Sequence, residues 1–270
     1  MCNGRDIVPV LDLGLMPIPN RFLESPATIQ QEELYPLRFC VCRTCQLAMI
    51  DEVVPPEKLF STYHYLTSAS SPLIAHFREL ASETRDRFGV KPGASILDIG
   101  ANDGTLLLEF QRFGMRTLGV DPAKNVALIA RTRGVTVLPE YFSAELAARL
   151  TADAGLFDIV TATNVFAHTH DIQDFATGVK RLLAPRGVFI VEFAHLLEMI
   201  ANRFFDVIYL EHLSFFALKP LLPFFQRHGL RIFDAKKVLT QGGSLRIYVT
   251  HAENPAYPET PNVSAIVEEE

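Results

Sequence analysis

The segment Ile96-Leu97-Asp98-Ile99-Gly100-Ala101-Asn102-Asp103-Gly104 constrains the fold more than any other, because an apolar run ends in Asp-x-Gly-x-x-x-Gly and passes at once into helical periodicity. Glycine lets a backbone turn that sharply and approach a ligand closely, and the helix that follows offers N–H groups without intrahelical partners. The same alternation then repeats. Short apolar runs at 95–99, 117–120, 135–138, 157–161 and 187–193 are separated by stretches of helical periodicity at 105–113, 123–133, 143–150 and 172–183. That order predicts an α/β fold, a doubly wound Rossmann-like parallel sheet with helices on both faces. Residues 229–238 and 244–250 read as strands flanking Thr-Gln-Gly-Gly, an antiparallel hairpin that closes the sheet.

The loop also selects its ligand. A dinucleotide-binding turn needs a second glycine for pyrophosphate approach at the position that Asn102 fills here, which argues against NAD. Asp121 follows the 117–120 run, at the tip of the second strand, where a carboxylate can accept both hydroxyls of a ribose.

The first 55 residues have a different character. They hold all four cysteines, Cys2, Cys40, Cys42 and Cys45, and short β-like runs at 7–13 and 35–41 broken by Pro17-Ile18-Pro19-Asn20. In a reducing compartment such clustering favours a metal over disulfides. Cys42-Arg-Thr-Cys45 is one C-x-x-C knuckle, and with Cys2 it offers three thiolates for a structural Zn2+. The fourth ligand is either Cys40, two residues from Cys42 on the same strand face, or a residue preceding Met1. No His or carboxylate pattern beside these cysteines points to metal catalysis.

These features divide the chain into a zinc-binding Cys module (1–55), a helical linker (56–88), the glycine-loop domain (89–251) and a terminal segment (252–270). In the linker, 57–88 reads as helical, with Ser68–Pro72 as a start signal. The terminal segment runs from a proline-rich stretch into a helix with Ser264 as N-cap, and is expected to begin a truncated C-terminal domain.

Hydrophobic residues at 49% and charged residues at 21% are those of a globular protein with a real core. The net charge of −6 gives no broad attraction for a phosphate backbone, so nucleic acid is not an expected partner. No secretory leader and no membrane-length apolar stretch is visible, which places the expectation in the cytoplasm, with no membrane partner. Oligomeric state is not legible.

Further motifs join the glycine loop. Asn164-Val165-Phe166-Ala167-His168 follows the fourth strand of the repeat, Glu192 ends the fifth, and Phe205-Asp206-Val207-Ile208-Tyr209-Leu210-Glu211-His212-Leu213-Ser214-Phe215-Phe216 comes after it. With the cysteine module, VLDLGLMPIPNRF at 10–22 and LFSTYHYLTSASS at 59–71, these resemble the class I S-adenosylmethionine-dependent methyltransferases. Within that class they look like the sugar C-methyltransferases of deoxysugar biosynthesis, which carry an N-terminal zinc-binding domain. The resemblance implies S-adenosylmethionine held around Asp98, Gly100, Asn102, Gly104, Asp121 and Asn164, and a nucleotide-linked 4-keto-deoxysugar as substrate. Carbon methylation there needs a base and an oxyanion donor, and the resemblance offers His212 and Tyr209. Glu211 would hold sugar hydroxyls or orient a neighbour, His168 would bind substrate or assist the base, and Tyr63 would reach the cleft from the linker. The chain departs from the family pattern at Leu210, where a histidine is usual, and at its start, where Cys2 alone represents a C-x-x-C. O- or N-methylation of another small molecule, or a cofactor-binding fragment with little activity, are the alternative readings.

Overall fold

In the computed structural model, which describes residues 1–23 and 25–270, the chain builds two separate sheets. The N-terminal part holds β1 (Ile7–Pro17), β2 (Leu34–Cys42), β3 (Ala48–Ile50), α1 (Pro56–Phe60) and α2 (Ser71–Phe88). The repeat follows as β4 (Ser95–Ile99), α3 (Thr105–Gln111), β5 (Arg116–Val120), α4 (Lys124–Thr132), β6 (Val137–Leu138), α5 (Ala144–Ala154), β7 (Phe157–Thr163), α6 (Ile172–Leu182) and β8 (Leu183–Ala194). The remainder comprises α7 (Leu196–Asn202), β9 (Ser214–Phe215), α8 (Leu218–Arg227), β10 (Leu230–Val238), β11 (Ser244–His251) and α9 (Pro261–Glu269).

The large sheet has the order β10-β11-β8-β7-β4-β5-β6, parallel from β6 to β8 and antiparallel at β11. Its strands read as continuous apolar runs because both faces are covered. Alternate residues go to opposite cores. Ile96, Ile159, Val188 and Ile190 pack with Phe77, Leu80 and Phe110 of α2 and α3. Leu97, Val160, Phe189 and Val191 pack with Leu146, Phe175, Val179, Leu221 and Phe225 of α5, α6 and α8. The order reverses direction beside β4, so a crevice opens outside the carboxyl ends of β4, β5, β7 and β8.

The second sheet, β1-β2-β3-β9, is antiparallel, and its last strand does not come from the N-terminal segment. Met49 pairs with Ser214 and Ala48 with Phe215, so the segment after β8 completes the cysteine-bearing sheet. Leu210 and Phe215 lie in that sheet's core with Leu37, Ile50 and Val54. The two modules are therefore interleaved.

Several sequence expectations change. The stretch 57–88 is not one helix: it breaks after Phe60, makes a short 3-10 turn at Thr67–Ala69 and resumes at Ser71, where Ser70 caps Leu73 N and Pro72 occupies the first turn. Residues 135–138 form a strand only at Val137–Leu138, whereas α5 runs a turn longer than 143–150. The final helix starts at Pro261 rather than at Ser264, which lies inside it with its hydroxyl on Pro261 O. Proline at the first helical position fits that start, since its missing N–H would have no partner there anyway.

Candidate active site and metal cluster

A cavity of about 610 Å³ occupies the crevice. Among the residues singled out from sequence, Asp98, Gly100, Asn102, Asp121, Asn164, His168, Tyr63, Tyr209 and His212 line it. Gly104 and Glu211 do not reach the wall. Gly104 caps α3 with φ +75°, and a Cβ there would lie 2.9 Å from the Val135 side chain, so this glycine seats the start of the helix against the segment that leads into β6.

The loop geometry follows from its residues. Gly100 has φ +71°, and a Cβ on it would come within 2.1 Å of Val165 Cγ2, so the turn requires glycine for two reasons. Asn102 N donates to Asp121 Oδ2 and Ala123 N to Asp121 Oδ1, both at 2.9 Å, which fixes the carboxylate at the tip of β5 while leaving each oxygen a further lone pair. Burial raises the Asp121 pKa, opposed by these two N–H groups. Asp98 is fully buried, accepts from the Thr161 hydroxyl at 2.6 Å, and is pushed up to about 7 by burial. The Asn102 side chain accepts from Thr67 N and donates to Tyr65 O, both at 3.0 Å, and so ties the segment between α1 and α2 to the glycine loop.

That segment carries Tyr63 into the cavity. The Asn125 side chain of α4 grips its backbone on both sides, accepting from Tyr63 N at 3.1 Å and donating to Tyr63 O at 2.7 Å. The Tyr63 hydroxyl donates to Glu211 Oε2 at 3.3 Å, and Asn20 Nδ2 donates to Glu211 Oε1 at 2.7 Å. Glu211 is 1% exposed, and burial raises its pKa against the pull of those two donors. It acts on its neighbours rather than on the cavity.

His212 is held by both ring nitrogens. Nδ1 lies 2.7 Å from Val207 O, and since a carbonyl only accepts, Nδ1 carries the hydrogen. Nε2 is thereby a lone pair, 3.2 Å from the Tyr209 hydroxyl. Burial lowers the pKa of His212 and raises that of Tyr209, so both are neutral. His168 sits edge-on to His212, ring centroids 4.8 Å apart, with Phe60 on another side at 5.7 Å. Burial, reinforced by His212, drives its pKa down to about 3, and its Nδ1 is buried without a partner among the described residues.

At the far end of the N-terminal sheet the thiols of Cys2, Cys42 and Cys45 converge within 4.8 Å of one another. Gly4 N donates to Cys2 Sγ at 3.3 Å, and a Cβ on Gly4 would press on that sulfur at 3.1 Å. Burial works against ionisation of Cys42, but the N–H groups of Cys45 and Thr44 together with the Cys2 and Cys45 thiols lower its pKa, while burial pushes the Cys45 thiol up. Three thiols turned inward, one biased towards thiolate, fit three of the four ligands of a tetrahedral zinc. Cys40 stands apart, its buried thiol on Arg38 O at 3.8 Å, and so does not supply the fourth.

The sequence reading missed Asn20, Asn125, Tyr65 and Phe60. Asn125 and Asn20 sit in no motif with a chemical signature, although Asn20 lies inside the Pro-Ile-Pro-Asn turn already singled out.

Both parts of the chain are similar to known proteins. A family profile described as "Methyltransferase domain" matches residues 73–235, and one described as "Putative zinc binding domain" matches residues 1–60. The chain is similar to the C-methyltransferase NovU of Streptomyces niveus, 36% identical over 264 residues, which are 96% of this chain but 63% of that protein's length. It is also similar to the ubiquinone biosynthesis O-methyltransferase of Rhizobium rhizogenes strain K84, 30% identical over 44% of this chain and 50% of that one. Among solved structures, magnesium protoporphyrin IX methyltransferase from Synechocystis PCC 6803 with bound SAH superposes with a TM-score of 0.52 at 14% identity, covering 66% of this chain and 83% of that one. The mitomycin 7-O-methyltransferase superposes with a TM-score of 0.51 at 14% identity, covering 68% and 56%. At such identity these structures speak for the fold alone, and no helix of the described residues is long and apolar enough to cross a membrane. By its methyltransferase domain, preceded by a module of the zinc-binding kind, the chain belongs to the class I S-adenosylmethionine-dependent methyltransferase family.

Proposed function

We propose that the protein methylates a carbon atom next to the ketone of a nucleotide-linked 4-keto-deoxysugar, through an enolate generated by a base. The observation that carries this reading is the Tyr209–His212 pair in the same cavity as Asp121. A methyl transfer to oxygen or nitrogen needs one deprotonation, whereas transfer to carbon needs a base and an oxyanion donor side by side. The similarity to a protein named as a C-methyltransferase over almost the whole of this chain supports the same reading.

Bound S-adenosylmethionine supplies an electrophilic methyl group on a sulfonium. Asp121 would accept the ribose hydroxyls, and the glycine loop would let the backbone approach the cofactor. His212 Nε2 takes the proton from the carbon next to the carbonyl, and the electron pair of that C–H bond moves into the enolate. The Tyr209 hydroxyl turns from His212 to the carbonyl oxygen and donates to the developing oxyanion. The enolate carbon so formed is the nucleophile to which the cofactor would supply its methyl group, and the proton stays on His212 until solvent removes it. His168, neutral beside His212, keeps a second positive charge away from the imidazolium that forms. Cys2, Cys42 and Cys45 would hold a structural zinc, which takes no part in these steps.

The test is isotope exchange. In heavy water, with the methyl donor replaced by its demethylated product, the protein should exchange the hydrogen next to the ketone of a nucleotide-linked 4-ketosugar, and with the donor it should add one methyl to carbon. Methylation of oxygen or nitrogen with no exchange on any ketosugar would refute the proposal.

A further inference from the structure

Asn20 closes the Pro-Ile-Pro-Asn turn after β1, with φ +60°. Asparagine tolerates that left-handed conformation better than other residues with a side chain, but a turn alone would be served as well by glycine. Its side chain has a further connection. Nδ2 donates to Glu211 Oε1 at 2.7 Å, across 191 residues of sequence. Because a carboxylate only accepts, this bond settles which way the amide faces: the nitrogen towards Glu211, the carbonyl oxygen away from it. Among the described residues, Asn20 Oδ1 and the second N–H of Nδ2 have no partner, and Asn20 lines the cavity that holds Tyr209, His212 and Asp121.

We infer that Asn20 is a substrate-binding residue contributed by the N-terminal module: its amide, oriented by Glu211, accepts from and donates to a hydroxyl of the sugar at the mouth of the cavity. One acceptor and one donor on a neutral group match a hydroxyl, which offers one of each, better than they match a phosphate, which only accepts. The inference rests on the sugar reading given above. It also gives Glu211 a definite part, that of a positioning residue, since the carboxylate is buried, is absent from the cavity wall and holds both Asn20 and Tyr63. The N-terminal module thereby becomes one wall of the active site, which accords with β9 being a strand of its sheet.

Asn20→Gly keeps the left-handed turn and removes only the amide. The KM for the ketosugar should rise about ten- to a hundredfold, the range for a hydrogen bond within a charge-assisted chain, while the affinity for the cofactor product stays as in wild type and the melting temperature falls through the donor that buried Glu211 loses. Asn20→Asp retains size and turn but opposes Glu211 with a second carboxylate, and should raise KM at least as much. In a cycle with Glu211→Gln the two changes should be less than additive, because each disrupts the same contact. Wild-type turnover with Asn20→Gly and Asn20→Asp both within twofold of its KM would overturn the role of Asn20 alone. Wild-type inactivity on every ketosugar would instead remove the functional reading, and the role of Asn20 with it.

Discussion

The Tyr209 hydroxyl lies 3.2 Å from His212 Nε2, while the other nitrogen of that ring is committed to the Val207 carbonyl. The imidazole is thus fixed in one tautomer, with its basic lone pair facing a group that can donate to an oxyanion. A histidine oriented by a backbone carbonyl needs no carboxylate to stay neutral until it takes a proton.

Loss of His212, the proposed base, should slow both isotope exchange and methylation. His212→Gln keeps the size and a hydrogen-bonding terminus but cannot take a proton, so both rates should fall by about 10²–10⁴ with cofactor affinity unchanged. Tyr209→Phe should slow both less. Single-turnover measurement on ketosugar separates these effects, and an unchanged exchange rate in His212→Gln would move the base to His168.

Asp121→Ala should weaken S-adenosylmethionine binding about ten- to a hundredfold, or about 1.5–3 kcal/mol, through loss of a carboxylate that accepts hydroxyl hydrogen bonds. Calorimetric titration of the variant checks this; affinity equal to wild type would show that the ribose is held elsewhere.

Gly100→Ala should destabilise the fold itself. The added methyl would need a left-handed backbone, at about 1 kcal/mol, and would enter the space of Val165, 2.1 Å away, where overpacking costs typically 1–3 kcal/mol more. A lowered urea midpoint, partly restored by Val165→Ala, is the expected result.

Acid should destabilise the protein through the buried histidines. His168 has a folded pKa of about 3 against an ordinary value of 6.5, so the neutral form is favoured on folding. Its contribution is fully present above the unfolded value and is lost as pH falls from there through the folded one; His212 acts in the same direction. Urea unfolding followed from pH 7 to pH 4 should show a shallower loss in His168→Gln than in wild type. An identical slope would mean that His168 does not resist protonation.

Removal of zinc should be felt beyond the cysteine turn. Thiolates must form to bind the ion, so metal affinity should fall with pH. Because β3 carries β9, a chelator should speed amide exchange at 213–215 as well as in residues 1–55, leaving β4 and β7 protected. Freshly purified protein without zinc would refute the metal assignment, and exchange confined to 1–55 would refute the coupling.

The sequence alone determined the α/β class, the glycine turn at Gly100 and the acid at the end of the second strand, because each depends on spacing within one strand–turn–helix unit. The convergence of Cys2, Cys42 and Cys45 was legible for the same reason at the C-x-x-C knuckle, though not the exclusion of Cys40, whose thiol follows the local backbone of β2. Tertiary structure decided the rest. The two-residue strand β9 is too short to show a period, and its place in the cysteine-bearing sheet is visible only in its pairing with β3. Glu211 was readable as an acid in a motif, but its withdrawal from the cavity and its hold on Asn20 and Tyr63 depend on contacts across 191 and 148 residues. Local periodicity records which face of an element is buried; which polar groups from distant segments meet there is set by how the elements pack.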